Sequence, residues 1–130
     1  MITFQEDRHT LGVAEMDDTH REFVALAAAL ATADNEHFPA LYAELFEHTR
    51  AHFAAEDARM RATRFPAIGE HTNEHQRVLG ELMAFNRSVQ AGRLQLARAY
   101  VCESLPGWFD LHLSTMDSAL AAHLKRMNDI

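Results

Sequence analysis

His52 and Glu56 stand four residues apart in this chain, and so do His71 and His75. In a helix, four steps of about 100° bring the second side chain within about 40° of the first and one turn along the axis. Each pair can therefore hold one metal centre, because imidazole nitrogen and carboxylate oxygen together suit first-row divalent ions. Three more residues of ligand type, His20, His112 and Asp117, lie elsewhere. The step from His112 to Asp117 is five residues, which in a continuous α-helix splays them by about 140°. If both bind metal, the helix has to end or loosen between them.

Punctuation and periodicity describe the elements that must position these residues. Asp17 and Asp18 can cap a first helix that runs to about Ala33, with Phe23, Val24, Ala27 and Leu30 at helical spacing. A second helix is expected over 38–64, with Pro39 in its first turn and Leu41, Leu45, Phe46, Phe53 and Met60 as its apolar positions. A third opens near Gly69 and ends around Gly92, carrying Val78, Leu79, Leu82, Met83 and Phe85. A fourth starts near Arg93, and Pro106 followed by Gly107 predicts a kink or restart within it. Beyond His112, Leu120 and Leu124 indicate a short terminal helix. Strand-period alternation is absent and the connections are short. The expected fold is all-α, an up-down-up-down antiparallel four-helix bundle with a short N-terminal arm and a C-terminal helix, forming one domain over 1–130.

That topology tests the ligand set independently. His20 begins the first helix, His52 and Glu56 lie in the later half of the second, His71 and His75 open the third, and His112 and Asp117 come late in the fourth. Antiparallel connectivity puts all seven at one end. One such pair alone is commonly just a polar helix face, whereas seven ligand-type residues at one level on four helices point to metal. The other histidines read differently. His9, His37 and His123 are expected at the surface, and His48, one turn before His52, as a partly exposed neutral side chain or a hydrogen-bond partner of the site.

Composition bounds the rest. The 130 residues carry a net charge of -7, with 48% apolar and 24% charged residues, which suits one globular domain and argues against disorder. The 12 basic residues are scattered among 19 acids, so nucleic acid is not an expected partner. No apolar run reaches the roughly 18 residues of a membrane span, and the start lacks a signal-peptide pattern. Cys102 is the single cysteine, which excludes an internal disulfide and a cysteine-based zinc cluster and suits the cytoplasm.

The stretches LGVAEMDDTH ending at His20, HFAAEDARM from His52, FPAIGEHTNEH ending at His75 and WFDLHLSTMD from Trp108 to Asp117 together resemble the single-domain bacterial hemerythrins over nearly the whole chain. The resemblance implies a non-haem di-iron centre. His71, His75 and His112 would bind one iron and His20 and His52 the other, with Glu56 and Asp117 bridging both beside an oxo or hydroxo group. That count gives six ligands on the first iron and five on the second, leaving one position open for O2. His-rich ligation carries less negative charge than the four-carboxylate sites of ferritin-like oxidases, which favours binding over oxidation chemistry.

The expected function is reversible O2 binding for storage, transport or delivery, by a non-enzymatic cytoplasmic monomer that serves an oxygen-consuming partner protein. An O2, redox or iron-sensing module, a peroxide or nitric-oxide scavenging enzyme, and a zinc binder are the competing readings. Phe23, Phe53, Trp108 and Phe109 are expected to wall the open position, with Trp108 and Phe109 the strongest candidates. The chain departs from the family pattern at Phe4, where a Trp is common, at His48 for Tyr, at Phe109 for Leu, and at Pro106 and Gly107, where the helix usually continues.

Overall fold

The computed structural model describes residues 2–128; Met1, Asp129 and Ile130, which complete the expected domain span, lie outside the described residues. A short helix α1 (Glu6–His9) forms within the N-terminal arm and precedes three long rods, α2 (Ala14–Thr32), α3 (Phe38–Ala62) and α4 (Ile68–Gln90). The fourth rod is composite. It comprises α5 (Gln95–Ala99), a π-helical turn (Tyr100–Ser104), α6 (Leu105–His112), a second π-helical turn (Leu113–Asp117) and α7 (Ser118–Arg126). Rod packs on rod in chain order, α2 on α3, α3 on α4 and α4 on α5, and α2 closes the ring against the first π turn. This is the all-α bundle that the periodicity predicts, and no strand occurs among the described residues.

Each rod buries one stripe. On α3 the buried positions are Phe38, Tyr42, Leu45, Thr49, Phe53, Glu56 and Met60, a three-and-four spacing that keeps them on one face. Full burial of each large apolar side chain stabilises the bundle by about 1.5–3 kcal/mol before entropy is subtracted. The ends have local causes. Arg64 adopts a left-handed φ of 54° after α3, and the Phe65 N–H donates to the Met60 carbonyl at 2.9 Å. Gly92, at φ 89°, closes α4, with the Arg93 N–H donating to the Ser88 carbonyl at 2.9 Å.

Two expectations are corrected. The first long helix begins at Ala14 rather than at a cap formed by Asp17 and Asp18. Asp17 is buried and points backwards, accepting the Leu11 N–H at 2.8 Å and the Gly12 N–H at 3.1 Å, so it fastens the preceding turn. Nor does the fourth rod restart at Pro106. The missing proline N–H is accommodated because the chain first widens into the π turn, with the Leu105 N–H donating to the Tyr100 carbonyl, and Pro106 then sits in the first turn of α6.

Candidate metal centre

The seven ligand-type residues lie in one layer between two apolar clusters. Phe23, Phe53, Val78 and Phe109 belong to the large cluster on one side, and Met16, Met60 and Leu120 to a smaller cluster on the other. Each rod thus inserts its polar residues into a stripe that is apolar before and after. His20, Glu56, His71, His75, His112 and Asp117 are buried, and the His52 side chain is 10% exposed.

Asp117 reaches this layer through the second π turn. The Ser118 N–H donates to the Leu113 carbonyl, five residues back, so the wider turn carries Asp117 round to the face of His112. The His112 Nε2 and Asp117 Oδ1 atoms are 3.2 Å apart. The loosening that the five-residue spacing demands is therefore a π turn and not a helix end.

The geometry of the two carboxylates divides the imidazoles into two groups. Asp117 directs Oδ1 at Nε2 of His71 and His112, both at 3.2 Å, and Oδ2 at Nε2 of His20 at 3.1 Å. Glu56 directs Oε1 at Nε2 of His71 at 3.3 Å and of His75 at 3.2 Å, and Oε2 at Nε2 of His52 at 3.2 Å. Each carboxylate gives one oxygen to the set His71, His75 and His112 and the other to the pair His20 and His52. Two donors held about 2.1 Å from one ion at a right angle are about 3.0 Å apart, so these separations have the scale of neighbouring ligands. Potential donor atoms of Glu56, His71, His75 and His112 lie within 4.8 Å of one another, as do those of His20, His52 and Glu56.

Among the described residues, hydrogen bonds leave most of this layer unsatisfied. Both Glu56 oxygens, Asp117 Oδ1 and Nε2 of His20, His71, His75 and His112 have no hydrogen-bond partner among the described residues. Such orphaned buried groups cost several kcal/mol unless a cation compensates them. Without metal they lean on each other. Burial and the Asp117 charge push the Glu56 carboxyl up, yet His52 and His71 hold it well below the ordinary value. Burial likewise opposes ionised Asp117, and His112, His20 and His71 hold its pKa well down. Burial depresses His71, but Asp117 and Glu56 outweigh it and raise its pKa to about 9. Burial also depresses His52, while Glu56 and Asp117 raise it overall. A donor set of five imidazoles and two carboxylates, split in two and left largely without hydrogen-bond partners among the described residues, fits a pair of divalent cations.

Supporting contacts extend outward. Asp57 Oδ1 lies 2.9 Å from Nδ1 of His75, which leaves Nε2 aimed into the layer. The Trp108 ring stacks on His112 with centroids 4.8 Å apart, and its indole N–H donates to Glu74 at 3.0 Å. Phe53 stacks on His75 at 3.8 Å. Phe23, Phe53, Trp108 and Phe109 border a cavity of about 10 Å³ against His20, His52, His112 and Asp117, so all four expected wall residues come together. Pro106 and Gly107 do not turn Phe109 away; its ring stacks on Phe23 at 5.6 Å and meets His20 edge-on at 5.8 Å.

The sequence reading did not find Asp57 or Glu74. Each directly neighbours a ligand-type residue, Glu56 or His75, and that adjacency was the available signal. The remaining histidines need correction in two cases. His9 is buried, with Nδ1 accepting the Gln5 N–H at 2.9 Å and Nε2 lying 2.8 Å from Asp110 Oδ1, while its ring meets Phe109. His123 is buried too, with Nε2 3.0 Å from the Thr63 carbonyl. His37 is exposed as expected, and His48 pairs with Glu22 at 3.0 Å.

The sequence is similar to that of a known protein and matches a family model. The chain is 36% identical over 124 residues to the Bacteriohemerythrin of Ralstonia nicotianae, a match that covers 95% of this chain and 89% of that protein. Residues 11–130 match the family model described as the Hemerythrin HHE cation binding domain. With the buried layer of histidines and carboxylates, these matches show that the chain belongs to the hemerythrin HHE cation-binding family.

Proposed function

We propose that this single-domain chain holds two non-haem iron ions, bridged by Glu56, Asp117 and an oxo or hydroxo group, and binds O2 reversibly for storage, transport or delivery. The observation that carries the reading is the division of each carboxylate's two oxygens between His71, His75 and His112 on one side and His20 and His52 on the other. Two ferrous ions held by these residues would supply the two electrons that O2 needs to bind as peroxide.

The chain's own residues set the rest. Three imidazoles complete one half of the centre, and two leave the other half a donor short. Both imidazoles of that poorer half, His20 and His52, border the aromatic cavity, whereas only His112 of the other three does, so a free position there would face Phe23, Phe53, Trp108 and Phe109. A cavity of about 10 Å³ has room for barely one water, and its apolar wall offers water little. The one polar group on that wall, the Trp108 indole N–H, is engaged by Glu74 and is withheld as a proton donor. The wall therefore excludes water and loose protons, which favours release of O2 unchanged over further chemistry.

The finer reading is a cytoplasmic monomer that passes O2 to an oxygen-consuming protein. The free, exposed Cys102 supports the compartment, and the scatter of the exposed apolar side chains Met83, Leu96, Leu111 and Met127 over several elements supports the monomer. No described helix is long and apolar enough to cross a membrane. The test is anaerobic reconstitution with ferrous iron, exposure to air and then deoxygenation under an optical spectrometer. Charge-transfer bands that come and go over repeated cycles are expected. Bands that bleach irreversibly while a substrate turns over would overturn the carrier reading in favour of an enzyme.

A further inference from the structure

A second cavity, of about 260 Å³, opens between α2 and α3, against Leu120 and Leu124 of α7, and reaches Glu56 and the other side of His52. Its existence has a simple cause: Thr19 on α2 and Ala51 and Ala55 on α3 face it, and these side chains are too small to close the gap between the rods. Two ion pairs bracket the opening, Glu22 with His48 at 3.0 Å and Glu15 with Arg59 at 3.2 Å. Exposure falls steadily inward. The side chains of Glu15 and Glu22 are 71% and 65% exposed, those of His48 and Arg59 are 20% and 18%, and those of His52 and Glu56 are 10% and 5%. The cavity is a funnel, charged at its mouth and ending on an unpartnered buried carboxylate.

We propose that this funnel is the entry path of the divalent cation, separate from the aromatic wall, with Glu15 and Glu22 capturing the hydrated ion and His52 and Glu56 receiving it. The inference rests on the di-iron reading and adds a route to it. A divalent ion sheds water only where oxygen or nitrogen donors replace it. The aromatic cavity, at about 10 Å³, lacks the room for a hydrated ion, and its outer wall of Phe23, Phe53, Trp108 and Phe109 offers no donor before His20, His52, His112 and Asp117 are reached. The α2–α3 funnel offers both, in order of increasing burial. Neither ion pair blocks it, because mouth carboxylates as exposed as Glu15 and Glu22 exchange partners at little cost.

The experiment measures how fast the full chain takes up iron. Metal-free protein is mixed anaerobically with ferrous iron at low ionic strength, quenched with a chelator at set times and assayed for bound metal. Removing both mouth charges, in the double variant Glu15→Gln with Glu22→Gln, should slow uptake by about tenfold, and added salt should narrow the difference. Ala55→Leu, which plugs the funnel without changing charge, should slow uptake at every salt concentration. Both variants should reach the wild-type final loading. The control pair Glu36→Gln with Glu103→Gln makes the same charge change on exposed residues that do not line the funnel and should load at the wild-type rate. Wild-type rates in both funnel variants, or an equal slowing in the control pair, would overturn the path. A reduced final loading reached at the wild-type rate would mark the substitutions as structural and would also overturn it. Wild-type protein that takes up no iron would instead overturn the di-iron reading, and the path with it.

Discussion

Asp57 accepts a hydrogen bond from His75, with Oδ1 2.9 Å from Nδ1, while Nε2 of the same ring lies 3.2 Å from Glu56 Oε1. Two adjacent carboxylates on α3 thus serve one imidazole from opposite sides. The outer one fixes the ring's orientation and tautomer, so removing it should weaken metal binding without touching a donor atom. Asp57→Ala should lower iron affinity by about 10- to 100-fold, and Asp57→Asn, which keeps an acceptor, should recover part of the loss. Competition with a chelator of known strength measures both. Affinities equal to wild type in both variants would reduce Asp57 to a surface charge.

Glu56→Ala removes the carboxylate whose two oxygens reach toward both groups of imidazoles. Iron loading should collapse or fall to a single ion while far-ultraviolet circular dichroism stays helical, because bundle stability rests largely on the apolar clusters either side of the layer. Oxygen-dependent spectra unchanged from wild type would contradict the bridging role.

Phe109 is 4% exposed and packs against His9, His20 and Phe23. Phe109→Ala should cost about 3 to 5 kcal/mol and open the aromatic wall to water. The oxygenated spectrum should then decay faster at unchanged iron content, measured where both proteins remain folded. Equal decay rates would make Phe109 a packing residue alone.

The metal-free chain should show a pH dependence that the loaded chain lacks. His71, raised to about 9, contributes stability that is complete below its ordinary value of 6.5 and is lost as pH rises through about 9. Glu56 and Asp117 are depressed, so theirs is complete above the ordinary values of 4.5 and 3.8 and is lost as pH falls well below them. Metal-free protein should therefore unfold at a lower urea concentration at pH 9 than at pH 6. Bound iron would hold the imidazoles neutral, and the loaded protein should lose much less over that interval. A metal-free midpoint that is flat or rises from pH 6 to pH 9 would contradict the ionised cluster.

The rods and the site residues were legible in the sequence for the same reason. Ligand-type residues such as His20 and Glu56 occupy the buried stripe of their helices, so the apolar periodicity that defines each rod also orients them. Less legible was what depends on contacts distant in the chain. His9 is buried only because α1 folds onto Asp110 and Phe109, a hundred residues away, and local sequence carries no mark of that. Pro106 reads as a helix breaker, yet the π turn before it absorbs the missing donor. The five-residue step from His112 to Asp117 was a readable anomaly, but spacing alone does not distinguish a π turn from a helix end.

The central claim is a dinuclear centre, and metal analysis of the chain reconstituted anaerobically with ferrous iron tests it most directly. Two iron ions per chain are predicted for wild type, with neither site filling stably once Glu56 and Asp117 are both replaced by Ala. A reproducible ratio of one iron per chain that survives loss of both carboxylates would contradict it.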